Sequence, residues 1–121
     1  MPIQERASGG VTILDIDGRL TIETTQELGV ADAVRRLLQA GRKQIVLNLD
    51  GVPRVDTTGL CAIVEAYVAA KRQEGLVKLL HLSPHVREVL RVTRLLTVFE
   101  AFDDEVDAIA SFGVAVSRAT R

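Results

Sequence analysis

The residues Asp56-Thr57-Thr58-Gly59 combine a carboxylate, two hydroxyls and a glycine between an aliphatic segment and a helix-forming one. The first turn of a helix leaves backbone N–H groups unpaired and carries a partial positive charge, so it favours an anion. A hydroxyl held there can be esterified with phosphate and read by a partner as a two-state signal. The pattern therefore predicts a phosphorylatable binding switch, not an enzyme. The structural alternative is that Asp56 only caps a helix and that both threonines are ordinary first-turn residues.

Composition favours one compact domain in a reducing compartment. The chain has 121 residues, of which 47% are hydrophobic and only 3% aromatic, so its core must be aliphatic. Charge is balanced at 15 basic against 16 acidic residues, and no basic segment alternates with aromatics, which argues against nucleic-acid binding. The longest apolar segment, Leu60 to Ala70, is too short to span a bilayer, and the N-terminus lacks a signal-peptide profile. We expect a cytoplasmic protein without membrane insertion.

Other residues capable of chemistry give weaker signals. His81 and His85 are four apart, but Ser83-Pro84 interrupts a helix between them, so no shared metal-binding face is expected. Cys61 is the only cysteine, which excludes an intramolecular disulfide, and we expect it to be a small buried apolar residue rather than a reactive thiol. No nucleotide-binding loop and no hydrolase triad is recognisable. The sequence predicts neither a metal nor a cofactor.

Apolar patterns and turn residues divide the chain into alternating strands and helices. Thr24 and Glu27 form a capping box before a helix that contains Gly29 and ends near Gly41, and Ser83 precedes Pro84 as a typical helix start. The predicted strands are Ile3–Ser8, Val11–Ile16, Ile45–Leu49, Val77–Leu82 and Thr97–Phe99. The other predicted helices are Thr57–Glu74, one starting at Ser83-Pro84, and Asp103–Gly113.

This alternation predicts an α/β fold: a single domain, residues 1–113, with a mostly parallel central sheet, an antiparallel N-terminal hairpin and about four helices. Residues 114–121 are expected to form a C-terminal tail. Binding residues in such sheets gather at the carboxyl ends of strands, which again indicates the 50–58 loop. We expect these side chains of the helices Thr57–Glu74 and Asp103–Gly113 to face inward: Leu60, Ile63, Val64, Tyr67, Val68, Val106, Ile109, Ala110 and Phe112.

The turn and its setting resemble the STAS domain of bacterial anti-sigma-factor antagonists. The strand Ile45–Leu49 followed by Asp56-Thr57-Thr58-Gly59-Leu60 resembles the central strand, turn and helix of that family. Gly18-Arg19-Leu20 resembles its Gly-x-Leu element after the second strand. Similar stretches lie at Lys71–Leu82 and Arg91–Phe99, so the resemblance extends over most of the chain, from Val11 to Phe112.

The resemblance implies a partner-switching protein that is phosphorylated on Thr57, with Thr58 as the alternative acceptor. The implied partner is an anti-sigma factor that is itself a serine/threonine kinase and supplies Mg·ATP, with a phosphatase to reverse the reaction. The chain itself is expected to be a monomer or weak dimer. The residues implied to bind the partner are Gly18, Leu20, Thr21, Asp56, Thr57, Thr58 and Gly59.

Three positions depart from the common family pattern. Thr21 stands where many antagonists carry Asp, Thr57 replaces the more frequent Ser, and Cys61 occupies a position where Gly is frequent. The threonine acceptor resembles the phosphothreonine sites of stress-complex scaffolds.

Two other functions fit parts of the sequence. Some STAS-like proteins are non-phosphorylated subunits that bind the ATPase of lipid-transport ABC complexes. A two-component receiver would use Asp50 as phosphoacceptor at a strand end, but it also needs an early acidic pair to hold Mg²⁺, and Asp15 and Asp17 alternate within a strand.

Overall fold

The computed structural model describes residues 3–21 and 29–119, with side chains described as far as Phe112. Its strands are β1 (Ile3–Ser8), β2 (Val11–Asp17), β3 (Gln44–Gly51), β4 (Leu76–Leu80) and β5 (Ala101–Phe102). Its helices are α1 (Val30–Gln39), α2 (Thr57–Arg72), α3 (Pro84–Val92) and α4 (Glu105–Ala119), with a short 3₁₀ turn at Leu95–Thr97.

The strands form one sheet in the order β1-β2-β3-β4-β5. The first pair is antiparallel and joined by the tight Gly9-Gly10 turn, whereas β2 through β5 run parallel, each pair separated by a helical crossover. This confirms the predicted mostly parallel sheet with an antiparallel N-terminal hairpin. It also places the carboxyl ends of β2, β3 and β4 along one edge, where binding residues of open sheets gather.

The two faces of the sheet are covered unequally. The larger aliphatic core lies between one face and helices α1, α2 and α3, and includes Leu14, Leu47 and Leu79 from the strands. A smaller core on the other face packs Val46 and Leu80 against Ala108 and Phe112 of α4. This division explains why β3 and β4 read as almost continuous apolar runs, since both of their faces are buried.

Helix α2 contacts the sheet through small residues. Its buried positions are Gly59, Ala62, Ile63, Ala66 and Ala70, which recur every three or four residues and let the backbone approach the strands closely. The side of α2 that was predicted to face inward is therefore rotated about the helix axis relative to the side that is buried in the structure. Ile63 is buried as predicted, Leu60, Val64 and Tyr67 are half-buried, and the prediction for Val68 was wrong because 38% of it is exposed.

Helix α4 begins at Glu105 and runs to Ala119, so the prediction that it ends at Gly113 was wrong. Phe112 is buried and Ile109 and Ala110 are half-buried, but Val106 is 72% exposed, contrary to prediction, because the buried line passes through Ala108. The division of the chain into a domain of residues 1–113 and a C-terminal tail of residues 114–121 stays a prediction.

Lys78 is an unusual buried cation beneath α4. It is 4% exposed, and its Nζ lies 2.8 Å from Ser111 Oγ, 3.2 Å from Glu100 Oε2 and 4.4 Å from the centre of the Phe112 ring. A buried ammonium requires such partners, and the contacts with Ser111 and Phe112 fasten α4 to β4.

The predicted strand Thr97–Phe99 is wrong: this segment contains the 3₁₀ turn, and the last strand is Ala101–Phe102. Local bonds hold the turn, since Val98 N–H donates to the Leu95 carbonyl at 3.0 Å. Phe99 is buried against Tyr67 of α2, with ring centres 5.0 Å apart in an edge-to-face arrangement.

The start of the first predicted helix, with its Thr24 and Glu27 capping box and Leu28, lies outside the described residues. Gly29 precedes α1 with φ +60° instead of lying inside the helix, which corrects that expectation. Gly41 follows the end of α1 with φ +85°, as expected of a helix-terminating glycine.

Candidate functional site

The predicted strand–turn–helix junction is present at the carboxyl edge of the sheet. Strand β3 ends at Gly51, a short loop follows, and α2 begins at Thr57. Asp56 has extended backbone angles, and its Oδ1 accepts a hydrogen bond from Gly59 N–H at 3.0 Å. Asp56 is thus the N-cap of α2, as the structural alternative proposed.

Thr57, the first helical residue, is exposed, and Thr58 beside it is half-buried. Within the described residues, the Thr57 hydroxyl has no hydrogen-bond partner. Because Asp56 supplies the cap, this hydroxyl is not needed to satisfy the helix end. It faces solvent in the positive field of the helix N-terminus.

The segment after β2 packs directly against this junction. Leu20 N–H donates to the Arg54 carbonyl and Asp56 N–H donates to the Leu20 carbonyl, both at 3.1 Å. This parallel bridge adds a short extension to the sheet just before α2. Leu20 is completely buried, so it anchors the segment in the core.

Gly59 is required by this packing. A Cβ atom at that position would lie 2.0 Å from the Leu20 carbonyl oxygen, far inside any permitted contact. Gly18, at the start of the same segment, has φ +114° and donates its N–H to the Gly51 carbonyl at 2.8 Å. The two glycines therefore allow the segment to leave β2 and to contact α2.

The structure brings the predicted site residues together. Gly18 and Leu20 lie against the loop that holds Asp56, Thr21 follows as a half-buried residue, and Thr57, Thr58 and Gly59 form the first turn of α2.

The start of α3 supports the same loop, a role that the sequence did not reveal. Ser83 Oγ donates to the Pro53 carbonyl at 3.3 Å, and His85 Nε2 lies 3.2 Å from the Val55 carbonyl oxygen. His85 thus contacts the backbone just before Asp56. The sequence did contain one indication of this role: the polar helix start at Ser83 directly follows a buried strand. Helix starts of this kind lie together at the carboxyl edge of the sheet.

Cys61 is exposed, so the prediction of a buried residue was wrong. It lies one turn after Thr57 on the same side of α2, because the residues are four apart. The buried line of α2 runs instead through its small residues, which leaves Cys61 on the outer surface.

An ion-pair network links β1, β2 and α4 near the same edge. Arg6 Nη2 lies 2.9 Å from Asp15 Oδ1 and 2.7 Å from Glu105 Oε1, and Asn48 Nδ2 donates to Asp15 Oδ1 at 2.7 Å. The hydrogen bonds from Arg6 lower the pKa of Asp15 and of Glu105, and the two carboxylates raise that of Arg6. The Asp15 carboxylate is therefore held in a structural ion pair with Arg6.

This arrangement contradicts a receiver domain. A receiver-type sheet is entirely parallel in the order 2-1-3-4-5, whereas this sheet has the order 1-2-3-4-5 with an antiparallel first strand.

The described residues include no cluster of His, Cys, Asp or Glu suited to a metal ion. None of the helices, as far as they are described, has the length and apolar character to cross a membrane.

Fold and site define a single α/β domain that presents one loop and one helix start at the edge of a mixed sheet. The sequence profile of the STAS domain matches residues 2–108, and the chain belongs to this family.

Relatives agree with this assignment. The chain is 25% identical over 109 residues to BtrV of Bordetella bronchiseptica, which is named as an anti-sigma factor antagonist, and the match covers 90% of this chain and 92% of BtrV.

Two solved structures share the fold. One is the STAS domain protein of Planctomyces limnophilus, at 20% identity and a TM-score of 0.80 over 92% of this chain and 97% of that one. The other is Bacillus SpoIIAA in its phosphorylated form, at 17% identity and a TM-score of 0.69 over 91% and 98%.

Proposed function

We propose that this protein is an anti-sigma-factor antagonist that binds a kinase of the switch type and is released when Thr57 is phosphorylated. Its role would be to regulate transcription in the cytoplasm through protein–protein contacts, without catalysis of its own. The family membership and the relatives named as antagonists support this class. SpoIIAA, a structural relative, has been solved in a phosphorylated form, which supports a phosphate-dependent mechanism.

The observation that carries the proposal is the separation of two tasks at the start of α2. Asp56 caps the helix, and the neighbouring Thr57 leaves its hydroxyl exposed. A phosphate on Thr57 would therefore replace no structural hydrogen bond among the described residues. The helix N-terminus favours the added anion by about 0.3–1 kcal/mol. The domain is thus expected to stay folded in both states.

The same phosphate would strongly disfavour the bound partner. Phosphorylation adds about −1.5 to −2 charges at neutral pH, next to the carboxylate of Asp56. A partner surface matched to a neutral hydroxyl would have to bury that charge without a counter-ion, which costs several kcal/mol. A change of about 2.8 kcal/mol already weakens binding about a hundredfold.

The partner-binding surface would combine the first turn of α2 with the segment packed against it. Leu20 fixes the position of this turn through its backbone bridge to Val55, Gly18 bonds to the Gly51 carbonyl, and Thr21 follows the bridge. Side chains exposed beside the turn would then contact the partner directly.

The test is phosphorylation by an anti-sigma-factor kinase of the source organism with Mg·ATP, followed by intact-mass measurement and site mapping. We expect one phosphate on Thr57 and none on Thr57→Ala. Thr58→Ala and Ser83→Ala are matched controls, because each removes a hydroxyl from a helix start, and both should still be modified. Phosphate incorporation that persists in Thr57→Ala would reject the site.

Cys61 offers an independent measure of docking. Because it is exposed one turn after Thr57, a bound partner should slow its reaction with a maleimide. Phosphorylated protein should react at the unprotected rate even when the partner is present. Equal protection in both states would show that the phosphate does not control docking.

A further inference from the structure

The end of the sheet opposite Thr57 is strongly basic. Helices α1 and α2 both finish there, followed by the loops 40–43 and 73–75 that lead into β3 and β4. We call this surface the basic end. Its helix ends and loops carry five cations and one carboxylate, Glu74, and the exposed Glu100 lies beside them before β5. The cations are Arg36, Arg42, Lys43, Lys71 and Arg72.

Backbone contacts place the two loops side by side. Leu76 N–H donates to the Lys43 carbonyl at 2.8 Å, and Lys43 Nζ donates to the Gln73 carbonyl at 2.6 Å. A cleft of about 570 Å³ lies next to them, and its charged lining consists of Lys43, Lys71 and Glu74 with the ion pair of Lys78 and Glu100. These contacts and the shared end of α1 and α2 bring the cations to one end of the domain.

Most of these cations lack an internal counter-ion. Arg36, Arg42, Lys71 and Arg72 form no ion pair with any residue in the described part of the chain. The helix dipole favours basic residues in a last turn, which accounts for Arg36, Lys71 and Arg72. It does not account for Arg42 in the loop or for the scarcity of carboxylates, and such a one-sided field favours an external anion.

We propose that the basic end binds an anionic lipid surface. Side chains of this kind suit the diffuse negative potential of a membrane leaflet, which attracts each nearby Lys or Arg without requiring a shaped pocket. A stable protein interface would call for an apolar or aromatic anchor, and neither loop carries one. Single-stranded nucleic acid would call for exposed aromatic rings, and none of the described aromatic side chains is exposed.

Docking in this way would orient the molecule. Thr57 lies at the opposite edge of the sheet, so it would point away from the lipid and stay open to a kinase. This consequence, unlike lipid binding itself, rests on the function proposed above.

The test is co-sedimentation of the full chain with phosphatidylcholine vesicles, with and without phosphatidylglycerol, at low and high salt. We expect binding only to vesicles with the anionic lipid, and its loss at high salt. Arg42→Glu/Lys71→Glu should weaken binding at least about tenfold, since each cation near such a surface contributes. The charge-preserving Arg42→Lys/Lys71→Arg and the distant Arg54→Glu should bind nearly as the unmodified chain does.

Three results would overturn the proposal: no sedimentation with anionic vesicles, equal sedimentation with neutral ones, or unchanged binding by the charge-reversed variant. Salt-sensitive self-association without vesicles, abolished by that variant, would also overturn it by assigning the basic end to a second copy of the chain. Thr57→Ala should bind vesicles normally, so failure of lipid binding and failure of the phosphorylation switch are distinguishable.

Discussion

Helices α2 and α3 start at the same edge of the sheet with the same type of cap. In α2, Asp56 Oδ1 accepts from Gly59 N–H at 3.0 Å, and in α3, Ser83 Oγ accepts from Val86 N–H at 3.3 Å. Both caps satisfy a backbone donor that the helix itself leaves unpaired. The unpaired backbone N–H groups at the two helix starts are thus satisfied in the same way, by a side-chain oxygen of the N-cap residue.

The two starts differ in what their hydroxyls do. Ser83 is half-buried, and its hydroxyl also donates to the Pro53 carbonyl at 3.3 Å, so its bonding capacity is used within the fold. The next residue in α3 is Pro84, which has no hydroxyl. In α2 the cap is a carboxylate, and the hydroxyl of Thr57 stands next to it in solvent. A cap alone therefore indicates a helix start, and a hydroxyl without a structural task indicates a candidate switch.

The largest expected effect comes from Gly59→Ala. The third residue of α3, Val86, has a fully buried side chain, whereas a Cβ at Gly59, the third residue of α2, would lie 2.0 Å from the Leu20 carbonyl oxygen. We expect a loss of about 3 kcal/mol or more in the free energy of unfolding, measured by urea denaturation.

Gly41→Ala is the control for glycine replacement in general. Gly41 has φ +85° but open space around the missing Cβ, so only the backbone strain of about 1 kcal/mol should appear. Equal losses for the two variants would mean that the Leu20 segment does not pack on α2 as described.

Much of the fold could be predicted from the sequence, because period-2 and helical apolar patterns are local. The junction from Ile45 to Gly59 and the Ser83-Pro84 start are examples. Errors arose where distant contacts decide the outcome. Cys61 and Val68 point outward because the buried line of α2 runs through Ile63 and three alanines instead. The segment Thr97–Phe99 turns because Phe99 packs on Tyr67.

The site was predictable in part for the same reason. The sequence pattern located the α2 start, but the bridge between Leu20 and Val55 joins residues 35 positions apart. The support from Ser83 and His85 comes from another helix. No local pattern contains those contacts, and the requirement for Gly59 became clear only with the Leu20 carbonyl in place.

Removal of the caps should have smaller and similar effects at the two starts. Asp56→Ala and Ser83→Ala should each lower the free energy of unfolding by about 1 kcal/mol. Asp56→Asn should retain most of the stability because the amide oxygen can still accept from Gly59 N–H. Thermal or urea denaturation of the three variants checks this, and a neutral Asp56→Ala would show that Asp56 does not cap α2.

Helix α4 provides a third start, held by charge. Asp104 Oδ1 accepts from Val106 N–H at 2.7 Å, and Glu105 pairs with Arg6. Arg6→Leu should lower stability by at most about 1 kcal/mol at neutral pH, because the ion pairs are partly exposed.

The sign of the pH dependence follows from the lowered pKa values of Asp15 and Glu105. Their contribution is present above the ordinary carboxyl pKa of about 4 and is lost as pH falls through the lowered values. The difference between the unmodified chain and Arg6→Leu should therefore shrink under acid conditions. A difference that is constant from neutral to strongly acid pH would contradict the ion-pair account.

Thr57→Ala should have the smallest effect on stability. Its hydroxyl has no partner in the described residues, so we expect a change within about 0.5 kcal/mol. Ser83→Ala is the matched comparison, since its hydroxyl bonds to both a donor and an acceptor. A loss from Thr57→Ala as large as that from Ser83→Ala would show that Thr57 also supports the fold.

The most direct test of the central claim is the dissociation constant for the anti-sigma-factor kinase, measured by titration calorimetry with unphosphorylated and Thr57-phosphorylated protein. We predict that phosphorylation weakens binding about a hundredfold or more, while circular dichroism shows the same fold in both forms. Equal affinity of the two forms would contradict the claim. A weaker affinity of the phosphorylated form that is accompanied by unfolding of the domain would contradict it as well.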